Sequence, residues 1–528
     1  MIKNTFQVVL FFAMLTIGMT SCKKTLQLTP QDSFGSGNFW KNEAQIVGFM
    51  QGLHTSFRGN MFQFLRLGEM RGGGFTTAEI FPVSLNEVPL IQQNLEENSS
   101  GVSNWGGFYA SILQINLFIQ ETEAATILTP AKKGYFLGQA YAMRAYYYFH
   151  LLRTYGGVPL RLVPEVPNGI TDPVALRKAR ATEAEVMAAV KSDVDKAVAA
   201  FGTAAIANKA QWNPMAALML KGEIYLWSAK VYNTTADLAT AKAALNAVTG
   251  FTLRPIFADV FSYANKKNSE IIFTLSYSFA EAEMPSVSLF TYDLPGLAGG
   301  FYADSLASGA FISTNPDPLN IGQTNAQQII QRYRYSFELF QSYDNADKRK
   351  LATFYDFYKV TKTGAPPYKV VSRNTVLRKF VGTIDQNKRY FSDDWPVYRE
   401  ADRLLMLAEI VNAEGGDPTV YIKQIRDRAF AGAANDKVPF INRTKDANEL
   451  FIFAERSKEF VFEGKRWYDA RRMKFGAEPL AYISTSHPYG VLNKATQAYR
   501  LLWPIEPSIW TNDPLVNQTP GYVTSKPK

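Results

Sequence analysis

Two regions of the chain carry apolar residues at three- and four-residue spacing, the period of a helix with one buried stripe. From Asn104 to Tyr155 the pattern predicts a helical pair. The second helix of the pair runs from about Ala131 to Arg153, with Phe136, Ala140, Met143 and Tyr147 on one stripe. Gly138, Ala140, Ala142 and Ala145 would let another helix approach closely, and Gly156-Gly157-Val158-Pro159 stops the run. Thr182 and Glu185 have capping-box spacing, in which each side chain satisfies a free N–H of the first turn. Asn213-Pro214 places an acceptor at the cap and a proline where its missing N–H costs nothing. The run Met215 to Tyr232 follows, with small Ala216, Ala217 and Gly222, and Asp237 to Val248 reads as a further helix ended by Gly250. These are consecutive helical hairpins of tetratricopeptide type, without a strict 34-residue repeat.

The middle of the chain loses this periodicity. Ile271 to Leu275 is a short β-rich run. Tyr277 to Arg334 is rich in Gly, Ser, Pro and aromatics, and Phe354 to Tyr390, with Gly-Ala-Pro-Pro at 364–367, reads as similarly irregular. Loops of this length in a compact protein are usually functional or disordered, and their aromatic content argues against disorder. Helical order returns near Tyr398. Arg403 to Asn412 is amphipathic, Asp417-Pro418 opens a helix to about Phe430, and Asp446 with Glu449 opens another that carries Leu450, Phe453 and Ala454. The Pro-rich tail, Leu502 to Tyr522, is expected to wrap the surface. The predicted fold is therefore mainly α, a tetratricopeptide-like helical-hairpin scaffold with long irregular loops and a few short strands. Residues 22–528 form one expected domain: helical repeats over about 40–250, an irregular insert over about 277–395, and C-terminal helices with a wrapping tail over about 396–528.

The N-terminus has a different pattern. Lys3 precedes an apolar run from Val8 to Met19, then Met19-Thr20-Ser21-Cys22. This is the layout of a secretory signal peptide, residues 1–21, and the run is too short to span a bilayer comfortably. A small residue followed by cysteine resembles a bacterial lipoprotein box, so cleavage before Cys22 would free its thiol for lipid attachment. Such a lipid anchors a protein to a membrane without spanning it. Cys22 is the only cysteine in 528 residues, which excludes an intrachain disulfide framework and leaves the fold to its packed core.

Composition narrows the chemistry. The chain is 47% hydrophobic and 14% aromatic, enough for a large core. Its net charge of +9 is spread over small groups such as Arg177-Lys178-Ala179-Arg180, Lys348-Arg349-Lys350 and Lys465-Arg466, each with acids nearby, so a nucleic-acid role has little support. The three histidines, His54, His150 and His487, are far apart, and no HExxH or paired His/Cys spacing suggests a metal. Arg71-Gly72-Gly73-Gly74 lacks the Lys-Ser/Thr of a phosphate loop. The acidic pairs Glu121/Glu123 and Asp393/Asp394 read as solvated faces rather than catalytic carboxylates. Glu455, Arg456, Glu459, Glu463 and Arg466, at three- and four-residue spacing, read as ion-paired fold residues. No cofactor and no catalytic residue is expected.

Several motifs carry a resemblance that spans nearly the whole mature chain. Phe39-Trp40 follows Cys22 at a short distance. The run from Ala140 to Phe149 leads into Tyr155-Gly156-Gly157-Val158-Pro159-Leu160, and Asn268-Ser269-Glu270-Ile271-Ile272-Phe273 follows later. The C-terminal half adds Tyr398 to Glu409, then Glu455-Arg456 with Glu459-Phe460 and Glu463 to Asp469, then Asn512-Asp513-Pro514-Leu515 with Gln518 to Tyr522. In this order they resemble the SusD/RagB family of outer-membrane nutrient-binding lipoproteins of Bacteroidetes. Ala470 stands where Leu is common, and Lys23-Lys24 follows the cysteine without the acidic run that can direct such lipoproteins outward.

The resemblance implies a cell-surface glycan-binding lipoprotein. It would capture oligosaccharides and deliver them to a SusC-like TonB-dependent transporter in the outer membrane, without chemistry of its own. A peptide-binding member of the same family is the alternative; a degradative enzyme and a purely structural transporter subunit are further ones. Sugar rings need flat aromatic platforms bounded by polar groups. Two irregular stretches offer both. Arg66 to Asn94 supplies Arg71, Phe75, Glu79 and Asn86, and Tyr277 to Arg334 supplies Tyr292, Phe301, Tyr302 and Asp304.

Cys22→Ser is expected to abolish lipid labelling and release the protein from the membrane fraction. Continued incorporation of a radiolabelled fatty acid would overturn the anchor.

Overall fold

The computed structural model describes residues 39–76, 87–102, 104–279, 281–290, 301–303, 333–361, 369–385, 388–483 and 492–526. Cys22 lies outside them. The N-terminal half is built from α1 (Glu43–Gly59), α2 (Met61–Glu69), α3 (Gly106–Ala124), α4 (Pro130–Tyr155), α5 (Glu183–Phe201), α6 (Pro214–Val231) and α7 (Asp237–Asn246). From α3 to α7 each helix packs on the next, so the chain stacks hairpin on hairpin. In the C-terminal half, α8 (Glu400–Ala413), α9 (Thr419–Ala429), α10 (Lys445–Glu459) and α11 (Arg466–Arg472) add to the same pile. α8 packs against α6 and α7, and α11 reaches both α2 and α6.

The predicted caps and contacts explain this stacking. Thr182 Oγ1 accepts from Glu185 N at 3.2 Å while Glu185 Oε2 accepts from Thr182 N at 2.8 Å, a reciprocal capping box. Asn213 Oδ1 accepts from both Met215 N and Ala216 N. Close approach decides two glycines. A Cβ on Gly138 of α4 would sit 2.7 Å from the Phe201 ring, and one on Gly222 of α6 would sit 2.5 Å from the Leu245 side chain. α4 is buried on every side from Gly138 to Tyr155, as a helix at the centre of a pile must be. Its Arg144 donates to Asp193 of α5 at 2.7 and 2.8 Å and to Asn116 of α3 at 2.8 Å, tying three helices together.

The short strands are β1 (Phe75–Thr76), β2 (Ile271–Leu275), β3 (Phe301–Ala303), β4 (Arg334–Tyr335), β5 (Phe354–Thr361), β6 (Lys369–Leu377), β7 (Thr383–Asp385), β8 (Lys388–Tyr390) and β9 (Trp395–Arg399). β2 pairs antiparallel with β9, and both are fully buried. The segment from Phe354 to Tyr390, read from sequence as irregular, is corrected here: β5–β6 and β7–β8 are antiparallel ladders, and β3 joins β5 through Phe301↔Val360 to Ala303↔Tyr358. The aromatic and β-branched residues of Phe354–Thr361 suit a pleated strand. The Gly-Ala-Pro-Pro at 364–367 falls between β5 and β6, outside the described residues, and it masked the strand signal on either side. The α10 cap is also moved: Thr444 Oγ1, not Asp446, accepts from Ala447 N. The tail is more than a surface wrap, since Trp503, Ile505 and Val516 are buried.

A buried lattice of ion pairs joins these pieces. Arg399, at the end of β9, donates from Nη1 to Glu270 and Glu459, both at 2.7 Å, and from Nε and Nη2 to Glu463 at 2.9 and 2.8 Å. Glu459 of α10 also pairs with Arg349 at 2.9 Å and with Arg428 of α9. Burial alone would raise the Glu459 carboxyl, but Arg428, Arg399 and Arg349 together hold it well below the usual carboxylate range. Lys379 donates to the Glu459 and Val461 carbonyls and pairs with Glu463; burial lowers its ammonium to about 8. Removing one member of such a lattice leaves charges buried without compensation, at a cost of about 3–5 kcal/mol. Arg399→Met should therefore lower the thermal midpoint by many degrees, read by calorimetry; a midpoint within a degree of wild type would refute this role.

Candidate functional site

The two irregular stretches enter the fold side by side. β1 pairs with β4 through Phe75↔Tyr335 and Thr76↔Arg334, so the residues after Thr76 and those before Arg334 share one root. That root is an aromatic floor. The Phe75 ring stacks on Tyr335 at 4.3 Å and lies 6.0 Å from Phe290, which stacks on Tyr333 at 4.8 Å and meets Phe462 edge-on at 4.7 Å. Glu69, at the end of α2, fastens the floor to the C-terminal half. Its carboxylate accepts from Tyr335 Oη at 2.7 Å, Phe462 N at 2.7 Å and Gly464 N at 2.8 Å. Burial pushes this carboxyl up, against those three hydrogen bonds.

Arg71 and Phe75, expected in sequence to face a ligand, lie inside this floor. Phe75 is 0% exposed and offers no ring face to a sugar as placed. The Arg71 guanidinium sits in the corner of an edge-on tryptophan pair, 4.1 Å from the Trp467 ring and 4.4 Å from the Trp503 ring. Its Nε donates to Gln93 at 2.7 Å and an Nη donates to the Arg500 carbonyl. Burial lowers it to about 9. Both residues bind the loop root to the core. Phe301 and Tyr302 fall in β3, where only their backbone pairing is described. Glu79, Asn86, Tyr292 and Asp304 lie outside the described residues.

Sequence reading missed an aromatic pair beside the end of β2, one ring exposed and the other half-buried. Phe279, 41% exposed, meets Tyr390 of β8 at 4.8 Å with a 58° tilt. Backbone bonds set the pair. Met284 N donates to Phe391 O at 2.6 Å, and Phe391 N donates to Glu283 Oε2 at 2.8 Å. Polar contacts tie down the chain on either side of Phe279. Arg58 donates to Ser276 O at 2.9 Å and to Glu281 at 2.6 Å, and that hydrogen bond holds Glu281 below its ordinary value. Lys266 lies over the Tyr263 ring at 4.5 Å and 3.4 Å from Asp394. Aromatic faces beside fixed donors and acceptors suit the C–H faces and hydroxyls of a sugar. The signal for Phe279 and Tyr390 was weak, because they lie 111 positions apart and only the strand pairing makes them neighbours.

Other titratable groups serve packing. His54 is hydrogen-bonded to Gln139 at 2.8 Å and lowered to about 4 by burial, and His150, also kept neutral by burial, meets Tyr468 Oη at 3.0 Å. Among the described residues no group of three His, Cys, Asp or Glu side chains could hold a metal, and no helix is long and apolar enough to cross a membrane.

Relatives agree with this architecture. The SusD family model matches residues 227–522. The chain belongs to the SusD family. A second family model, described as starch-binding and associating with the outer membrane, matches residues 75–253. A SusD superfamily protein of Bacteroides fragilis is 35% identical, with a TM-score of 0.81 over 92% of this chain and 100% of that one. NanU of the same species is 33% identical, with a TM-score of 0.80 over 94% of this chain and 100% of that one. SusD-like protein P38 of Formosa agariphila is 25% identical over 97% of this chain and 98% of its own length.

Asp393, buried at the base of the β7–β8 hairpin, is expected to make the stability of this SusD family member depend on pH. Its Oδ2 accepts from Gly382 N at 2.5 Å at the base of the β7–β8 hairpin. Burial raises the carboxyl from 3.8 to about 7, with Asp394 adding to the rise and Gly382 N, Lys266 and Arg389 opposing it. A carboxyl raised on folding stabilises least when ionised, so its contribution falls as pH climbs between those two values. Asp393→Asn should melt above wild type at pH 8, with the gap closing toward pH 4. A gap that is absent, or that widens toward low pH, would refute this.

Proposed function

We propose that the protein is a lipid-anchored, cell-surface member of the outer membrane that captures oligosaccharides and hands them to a SusC-like TonB-dependent transporter. The observation that carries this reading is the family match across both halves of the chain, one half to a model described as starch-binding and associating with the outer membrane. The Phe279–Tyr390 pair supports it with the surface chemistry that a sugar ring needs. The Cys22 box supplies the anchor and has the outer membrane as its destination in this reading. The protein would bind without chemistry, as its family does.

The ligand site in this proposal runs from the Phe279–Tyr390 patch to the loops rooted at β1 and β4, which include Glu79, Asn86, Tyr292, Phe301, Tyr302 and Asp304. Arg71 and Phe75 act beneath it as anchors.

One preparation tests both halves of the proposal. Tagged protein extracted from its native membrane in mild detergent should carry a large TonB-dependent transporter, and the mature protein should bind members of a glycan array. Losing one stacking platform costs about 1–3 kcal/mol, a tenfold to hundredfold drop in affinity. Phe279→Ala and Tyr390→Ala should each weaken the best array ligand by that margin with little change in melting. No glycan bound, or both variants binding like wild type, would sink the assignment of this patch; repeated recovery of free protein would sink the partner.

A further inference from the structure

A cleft of about 590 Å³ opens beside Gly73, between α10 and the segments 338–342 and 475–483. Its walls differ from the aromatic patch. They are Leu339, Leu450, Phe453, Phe475, Leu480 and Ile483, a deep apolar lining in which Leu450 and Phe475 remain 40% and 43% exposed. Two cations converge on it from α10 and α11, Lys458 and Arg466. Arg466 donates to Gly72 O at 2.6 Å and to Ser457 Oγ, so its position is fixed. Lys458 is different. It lines this cleft and a second cavity of about 340 Å³ that shares Ser342 and Ala454 with it.

The Lys458 ammonium is half-buried, and among the described residues it forms no ion pair and donates no hydrogen bond. The carboxylate that acts on it most strongly, Glu455, is engaged by Arg349 at 2.7 Å and by Arg426 at 3.0 Å. Asp347 is likewise held by Arg349 at 2.7 Å. Burial depresses the ammonium, and the nearby positive charges of Arg349 and Arg426 act in the same direction. The acid on the cleft itself, Glu338, is exposed at the mouth. An apolar chamber of ligand size with an uncompensated ammonium on its wall is complementary to an apolar body that carries an anion.

We propose that this cleft is a second binding site, distinct from the carbohydrate surface, for a small amphipathic carboxylate whose apolar body fills the Leu450–Phe453–Phe475–Leu480 chamber and whose carboxylate pairs with Lys458. The site stands on its own geometry and does not depend on the carbohydrate reading.

Titration calorimetry on the mature protein at neutral pH and low salt tests it, with 4-phenylbutyrate and its neutral amide, 4-phenylbutanamide, as probes. The acid should bind at least roughly tenfold more tightly than the amide, the margin of one charge-assisted contact. Lys458→Met should erase that preference while the amide binds as before. Ala454, exposed on the shared wall, gives a second variant: Ala454→Trp should fill the chamber and abolish binding of both probes without lowering the melting temperature. Acid and amide binding equally, neither probe binding, a preference that survives Lys458→Met, or full binding by Ala454→Trp would each overturn the proposal.

Discussion

The structure depends on placing several guanidinium and carboxylate groups inside one core without leaving any uncompensated. Arg399 and Glu459 are the centre of that arrangement, both 0% exposed. Isolated charges at this depth would cost many kcal/mol, so each is affordable only with its partners in place. The partners come from far apart in the chain: Glu270 before β2, Arg349, Arg428 on α9, and Glu463 in the turn after α10. A second set continues it. Arg456 bridges Asp402 and Asp469, Arg472 bridges Glu409 and Asp469, and Lys230 of α6 reaches Glu409 and Glu449. Ion pairs demand directed geometry, whereas apolar packing tolerates sliding. The lattice therefore fixes how the C-terminal helices register against α6 and the β2–β9 pair.

That register also holds the aromatic floor, since Phe462, which meets Phe290, is next to Glu463 of the lattice. Glu69 binds the turn at Phe462 to Gly464 and also Tyr335, so α2, the β1–β4 root and the C-terminal half move as one body. The irregular segments start and finish on that body. Arg71, in the corner of the Trp467–Trp503 pair, and Phe75, stacked on Tyr335, are the fasteners at the root. The Phe279–Tyr390 pair and the cleft beside Gly73 differ in chemistry: one is a partly open aromatic pair, the other an apolar lining with Lys458 and Arg466 on its wall. A binding protein can vary such segments freely because the lattice beneath them does not depend on their composition.

Much of the scaffold was legible in the chain. The stripe of α4, the Thr182–Glu185 box, the Asn213-Pro214 cap and the small residues at Gly138 and Gly222 are local signals, and each acts within a turn or at one helix contact. Glu455, Arg456, Glu459 and Glu463 read from their spacing as paired charges, but their partners Arg349, Arg399, Arg426, Asp402 and Asp469 lie outside that run and no local spacing names them. The β5–β6 ladder was missed because its pairing is non-local and a Gly-Ala-Pro-Pro run dominated the local reading.

Periodicity determined that this chain would be a pile of helical hairpins, because helix period and caps are properties of neighbouring residues. Which aromatics are buried and which are exposed was decided only by the tertiary structure. Phe75 and Phe279 look alike in sequence, each an aromatic in an irregular, polar stretch. Phe75 is covered because β4 returns to lay Tyr335, 260 positions later, on its ring, while Phe279 keeps an open face because its neighbour Tyr390 covers only one side. Exposure is a relation between segments distant in the chain, and no window of sequence contains both members of the pair.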